Sequence, residues 1–169
     1  MRQKQSDKVR EMLARAKRER KSTRKILKAM HGIRPEILDR NFAIAHDEVF
    51  DKTDCLKCAN CCKTSSPIIT NKDIDRIAAH LRMKPGDFVV KYLRIDEDED
   101  YVFQQTPCVF LNDDDTCSIY EHRPKACREY PHTDRKNMRE ILELTYKNSL
   151  VCPAVYEIIR EVESLIARK

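Results

Sequence analysis

Apolar residues recur at helical spacing along most of this chain. Val9, Met12, Leu13 and Ala16 fall on one face of a helix, and the stripe then thins until Ile26, Leu27 and Met30. Gly32 and Pro35, in "HGIRP", mark its end. Leu38, Phe42, Ala45 and Val49 are spaced by four, three and four, which predicts a second helix opening at Pro35. "ITNKDIDRIAAHLRM" predicts a third, with Asn71 as its cap and Ile74, Ile77, Ala78 and Leu81 on one side. "KPGDFVVKYL" reads as a short helix with Pro85 in its first turn. The acidic run "DEDED" then reads as a loop, and "YVFQQTPCVFLNDDDTCSIY" as two short strands around the turn "NDDDT". "EHRPKACREYPH" is punctuated by proline and reads as a loop. Asp134 is expected to open a helix through Met138, Ile141, Leu142 and Thr145. Pro153 is expected to start the last helix, where Val155, Ile158, Ile159, Val162, Leu165 and Ile166 form the cleanest stripe in the chain. The expected fold is mostly α with a small β-hairpin, in an irregular cysteine-rich domain.

Charge divides this pattern in two. Residues 1–34 carry 13 Lys or Arg against Asp7, Glu11 and Glu19, a net +10. The whole chain is +5, so the remainder is −5. The reading is a basic helical N-terminal extension, 1–34, ahead of a metal-binding domain, 35–169. Such a helix is either a solvated surface or an arm that touches nucleic acid or an acidic protein partner. No aromatic residue lies among its charges, so base stacking has no support there.

Other classes are set aside by what is missing. Two isolated glycines, Gly32 and Gly86, cannot build a glycine-rich phosphate cradle. No run of about 18 apolar residues exists, so no membrane span is expected, and the N-terminal stretch has no apolar signal core. The expected compartment is the cytoplasm, where thiols stay reduced and clustered cysteines are metal ligands more often than disulfides.

Eight of the 169 residues are cysteines, and half of them sit in "CLKCANCC", Cys55 to Cys62. Cys55, Cys58 and Cys61 form CxxCxxC, a spacing that lets the backbone fold back so that successive thiolates converge. Three such thiolates plus a remote fourth suit a [4Fe–4S] cluster, while a CxxC pair plus a second remote pair suits tetrahedral zinc. Cys62 adds a complication, because side chains of adjacent residues tend to point apart. One of Cys61 and Cys62 is then expected to face a first centre and the other a second. Cys108, Cys117, Cys127 and Cys152 supply the remaining sulfurs, so two four-thiolate sites, or one cluster and one zinc, are both open.

Cys108 and Cys117 flank the expected hairpin turn, Cys127 follows in "RPKACREYP", and Cys152 precedes the final helix. A thiolate at that helix start is expected to be stabilised by the helix N-terminus. Four thiolates around one Zn²⁺ leave a net −2, which Lys57, Lys63, Arg123, Lys125 and Arg128 are close enough in sequence to offset. His122 and His132 bracket Cys127 and are spaced to replace a thiolate, while Tyr120, Tyr130 and Pro131 are expected to wall the centre from water. A thioredoxin-like role for CxxC would need a strand before the motif, and a helix is expected there instead.

The order "CLKCANCC", then "PCVFL…DDTCSIYEHRPKACREYP", then "CP" resembles the CxxCxxCC family of zinc- or iron-chelating proteins, the YkgJ-like cysteine-cluster proteins. All eight cysteines match its pattern, and "TNKDIDRIAAHL" with "FVVKYL" is similar to its connecting segment. The resemblance covers roughly residues 50–160 and leaves the basic extension outside. It implies metal binding by Cys55, Cys58, Cys61, Cys62, Cys108, Cys117, Cys127 and Cys152, as zinc or an iron–sulfur cluster. Relatives of flagellin lysine N-methylase are in the same family, which implies methyl transfer from S-adenosylmethionine as the enzymatic alternative; no residue of this chain matches a donor site. An iron–sulfur redox protein and a zinc-stapled nucleic-acid or partner-binding module are the other readings.

Overall fold

The computed structural model describes residues 2–168, with side chains from residue 7 onward. Met1, and the side chains of Arg2 and Lys4 counted in the N-terminal charge, lie outside them. The chain is mostly helical with one two-stranded antiparallel sheet. Its contacts divide it into two compact units, one made of Met1–Cys58 with Pro131–Lys169, the other of Ala59–Tyr130.

In the first unit the expected N-terminal helix is two helices, α1 (Arg2–Arg18) and α2 (Arg20–Met30), with Glu19 between them at φ −88°, ψ 9°. Glu19 accepts from the Tyr156 hydroxyl at 2.7 Å and pairs with Arg160, so the break sits where this carboxylate is drawn onto another helix. α3 (Pro35–Phe50) starts on its proline, whose missing N–H costs nothing in a first turn. The short α4 (Cys55–Cys58) follows. After the second unit, α9 (Leu142–Ser149) and α10 (Pro153–Ala167) complete this one. Asp134 does not open the helix expected there: a 3-10 turn, Met138–Ile141, leads into α9, and Asp39 of α3 accepts the N–H groups of Asn137 and Met138 at 2.8 and 2.9 Å.

The two stripes read from sequence meet. Leu38, Phe42 and Ala45 of α3 and Val155, Ile158, Ile159 and Val162 of α10 are completely buried in one cluster, joined by Leu27, Met30, Met138 and Leu142. Val49, Leu165 and Ile166 are partly buried against it. Burying an aliphatic or Phe side chain fully is worth about 1.5–3 kcal/mol.

The second unit begins with α5 (Asn60–Thr64) and continues through α6 (Asn71–His80) and α7 (Pro85–Tyr92). The cap of α6 is Thr70, one residue before the expected Asn71. Its hydroxyl accepts the Asp73 N–H at 3.2 Å while the Asp73 carboxylate accepts the Thr70 N–H at 3.1 Å, a reciprocal capping box.

The hairpin is not where the sequence suggests. β1 (Leu93–Ile95) pairs with β2 (Tyr101–Phe103) in the register Leu93↔Phe103, Arg94↔Val102, Ile95↔Tyr101. The acidic run is therefore the hairpin turn, closed by Asp96, whose Oδ1 accepts the N–H groups of Asp98 and Asp100 at 3.0 Å each. "NDDDT" closes only a single bridge, Leu111↔Cys117. α8 (Lys125–Glu129) is the last helix of this unit. Ile69, Ile74, Ile77, Ala78, Phe88, Leu93, Phe103, Phe110 and Ile119 form its core. Among the described residues, no helix is long and apolar enough to cross a membrane.

Candidate metal centre

None of the eight cysteines forms a disulfide. The unit boundary falls inside the CxxCxxCC run: Cys55, Cys58 and Cys152 belong to the first unit, and Cys61, Cys62, Cys108, Cys117 and Cys127 to the second. Each group is positioned by its own elements.

In the second unit α5 carries Cys61 and Cys62. Its entry is Ala59 in the left-handed region, φ 46°, which turns the chain out of the direction of the preceding residues. Contrary to expectation, the adjacent cysteines do not point apart: their sulfurs are 3.9 Å apart. The reason is local. In extended backbone neighbours alternate sides, whereas on a helix they are separated by only about 100°. That separation is about the S···S distance of two thiolates sharing a tetrahedral zinc, roughly 3.8 Å for Zn–S bonds of about 2.3 Å.

The Cys108 N–H donates to the Cys62 carbonyl at 2.8 Å, which lays the next cysteine segment against α5. The Leu111 N–H then returns to the Cys108 carbonyl at 3.0 Å, and the Leu111↔Cys117 bridge brings Cys117 back beside it. The tight turn between them is held by Asp114, which accepts both the N–H and hydroxyl of Thr116, at 3.0 and 2.5 Å. Lys63 Nζ reaches Asp115 at 2.6 Å and pins that turn to α5.

Cys127 arrives on α8, and the residue that holds α8 is one that sequence reading passed over. Asp73, 1% exposed, accepts the first helical N–H of α8, from Lys125, at 3.0 Å. The same carboxylate oxygen pairs with Arg76 at 2.6 Å, and Arg76 donates to the Arg123 carbonyl at 3.0 Å. Burial alone would raise the Asp73 carboxyl. Hydrogen bonds from the Thr70 hydroxyl, Arg76 and the backbone outweigh it and hold the group below its ordinary range. Thr70 and Asp73, three apart ahead of an apolar run, are the available sequence signal.

Four of these sulfurs act on one another electrostatically. Burial pushes the Cys127 thiol up to about 12, and Cys62, Cys108 and Cys117 push it the same way, against Arg123. Burial also raises Cys108, to about 11, with Cys62 and Cys117 adding to it. Cys117 is raised by burial and by Cys62. Every pair among Cys62, Cys108, Cys117 and Cys127 is thus within electrostatic reach. Cys62 differs: a hydrogen bond from the Cys61 thiol, ahead of burial, brings it down to about 7.

In the first unit, Cys152 caps α10 and its N–H donates to the Asn148 carbonyl at 2.7 Å. The helix start favours the Cys152 thiolate as expected, but burial outweighs it. Burial pushes the Cys152 thiol up to about 11, more than the N–H groups of Val155 and Ala154 pull it down. Cys55 and Cys58 contribute to the same rise, so these three sulfurs are neighbours. Cys55 itself is exposed.

No three His, Cys, Asp or Glu side chains among the described residues stand close enough to hold an ion without moving. The donor set itself suits soft ions: thiolates bind zinc and iron–sulfur clusters, and carboxylates are absent from it. His122, which brackets Cys127 in the sequence together with His132, stacks on His80 with ring centroids 4.0 Å apart. Tyr120 is 40% exposed with the Arg123 guanidinium 3.8 Å over its ring.

Half-buried cysteines brought in from separate segments within each unit are the mark of a cysteine-cluster protein. The chain belongs to the CxxCxxCC family, described as a "putative zinc- or iron-chelating domain", whose pattern matches residues 54–153 and so spans Cys55 through Cys152. Similarity extends to an uncharacterized protein of Methanocaldococcus jannaschii, 30% identical over 82 residues, covering 47% of this chain and 44% of that protein. The chain thus spans less than half the length of that relative. No solved structure matches.

Proposed function

We propose that the protein binds metal through its cysteine thiolates, with Cys62, Cys108, Cys117 and Cys127 as a four-sulfur centre and Cys61 as the fifth sulfur beside it. Cys55, Cys58 and Cys152 are the ligands of the first unit. The observation that carries this reading is the mutual electrostatic reach of those four thiols, brought in from three separate segments. Membership of a zinc- or iron-chelating family supports it.

The ion supplies the positive charge that lets several buried thiolates exist together. The chain's own residues do the rest. Burial keeps Cys108 and Cys127 protonated as free thiols, so loading releases protons and is favoured by rising pH. Cys62 ionises most readily of the four, which makes it the first thiolate an arriving ion meets. Four thiolates on Zn²⁺ sum to −2, and Arg123 lies near enough to Cys117 and Cys127 to offset part of that. The asymmetric cost of leaving buried thiolates unpaired couples metal binding to folding.

Anaerobic purification with metal analysis and a visible spectrum tests this. Colourless protein with stoichiometric zinc identifies a tetrathiolate zinc site. Brown protein with iron and acid-labile sulfide identifies a cluster. Protein that carries neither, and takes up neither Zn²⁺ nor Co²⁺ after thiol reduction, sinks the proposal.

A further inference from the structure

Separately from the metal, the geometry points to a duplex nucleic-acid backbone as the partner of α2. Between Met12 and Pro35 the chain has one carboxylate, Glu19. That carboxylate is taken by Tyr156, Arg160 and Arg15. What remains outward is cationic: Lys17, Arg20, Lys21, Arg24, Lys25 and Lys28 are all exposed. Of these, only Arg24 reaches a carboxylate among the described residues, Glu143 at 2.9 Å in an exposed pair.

On α2 the five cations from Arg20 to Lys28 lie on an arc of about 140° and along about 12 Å of helix axis. Thr23, Leu27 and Met30 lie on a separate face and are buried. Arg20–Arg24, Lys21–Lys25 and Arg24–Lys28 are like charges at i,i+4, an arrangement that disfavours the helix unless an anion covers it. An ordinary solvated helix intersperses acids; here the only acid is turned to other partners.

The kind of anion follows from the same face. A duplex carries about one phosphate charge per 1.7 Å of axis, so a stripe of this length runs beside about seven. No Phe, Tyr or Trp precedes Phe42, so the segment lacks an aromatic stacking platform, and recognition is chiefly of the phosphate backbone without sequence preference. A lipid surface fits less well, because an interfacial helix must insert its apolar face, and Leu27 and Met30 are already committed to the protein core.

The full-length, metal-loaded protein should be titrated against fluorescent 24-base-pair DNA and RNA duplexes between 50 and 200 mM KCl. Four to five phosphate contacts give a log–log salt slope of about −4, or a few-hundred-fold loss of affinity across that range. The triple variant K21Q/K25Q/K28Q should reduce the slope by about 2.7, while the triple Lys→Arg variant keeps it. Metal content and melting temperature should be unchanged in both. A preference for one duplex type identifies which nucleic acid carries the shared chemistry. No binding to either duplex at 50 mM KCl, a slope unaffected by the glutamine variant, or tighter binding to polyglutamate or to anionic phospholipid vesicles would overturn the inference.

Discussion

The backbone N–H of Cys108 donates to the carbonyl oxygen of Cys62 across 2.8 Å, so the last cysteine of the clustered run and the first of the dispersed ones are joined through the main chain. Their sulfurs are brought together by a bond that neither side chain makes. Substituting either sulfur should therefore leave this contact in place and remove only the ligand. Cys62→Ser and Cys108→Ser are expected to lose at least about 100-fold in metal affinity, more than second-sphere changes usually cost. Competition with a chromophoric chelator measures it, and near-native affinity in both variants would contradict the four-sulfur centre.

Chelation should also lower stability. Buried thiols that share no ion keep their protons, and the segments carrying Cys108, Cys117 and Cys127 lose their common tie. A chelator that removes all metal is expected to lower the melting temperature by well over 5 °C, the scale set by a loss of a few kcal/mol in a chain this size. Scanning calorimetry before and after stripping gives the comparison. Superimposable traces would show that the ion is not part of the fold.

Asp73 holds the arm that presents Cys127. Asp73→Asn keeps the shape but removes the charge facing Arg76 and weakens the bond to the Lys125 N–H. Breaking a buried pair by altering one partner costs about 3–5 kcal/mol when both are fully buried, and Arg76 is 31% exposed, so about 2–3 kcal/mol is expected. Metal affinity should fall about 10-fold as well, because α8 is no longer fixed. The cobalt-substituted protein distinguishes positioning from simple destabilisation. Its thiolate charge-transfer band should weaken under fully folded conditions, and an unaltered band would assign Asp73 to stability alone.

Glu19 provides a pH dependence with a definite sign. Its hydrogen bond from the Tyr156 hydroxyl, then that from Arg15, holds its carboxyl down at about 2 against an ordinary value of 4.5. A carboxyl depressed in the fold stabilises above its unfolded pKa and loses that contribution as pH falls through the folded one. Wild type should exceed Glu19→Gln in stability at pH 6, with the gap closing between about pH 4.5 and pH 2. Urea melts of both proteins at matched pH, in chelator so that thiol protonation is common to the two, isolate this group. A gap that stays constant down to pH 2 would refute the assignment.

The contact between α3 and α10 should dominate the first unit. Ile158 is completely buried with Phe42 and Leu38 in the same cluster. Ile158→Ala is expected to cost about 2–5 kcal/mol in denaturant unfolding. A cost below about 1 kcal/mol would mean that the cluster collapses around the gap.

Helix periodicity and family membership were legible before any coordinates. The stripes from Leu38 to Val49 and from Val155 to Ile166 had to be buried, because 3.6-residue spacing gathers them on one face. The cysteine pattern likewise pointed to the family, and thiolate donors favour soft ions such as zinc, copper(I) and iron–sulfur clusters. Pairing between distant segments was not local information. Whether Tyr101–Phe103 found Leu93–Ile95 or the Cys117 segment depended on which partner buried Leu93 and Phe103 together with Phe88 and Phe110. Likewise, only the short helix at Asn60–Thr64 turned Cys61 and Cys62 toward one another, and only the folded chain placed Asp73 beneath Lys125, 52 residues away. Spacing along the chain dictates which side chains share a face, but what that face meets is decided by burial summed over the whole molecule.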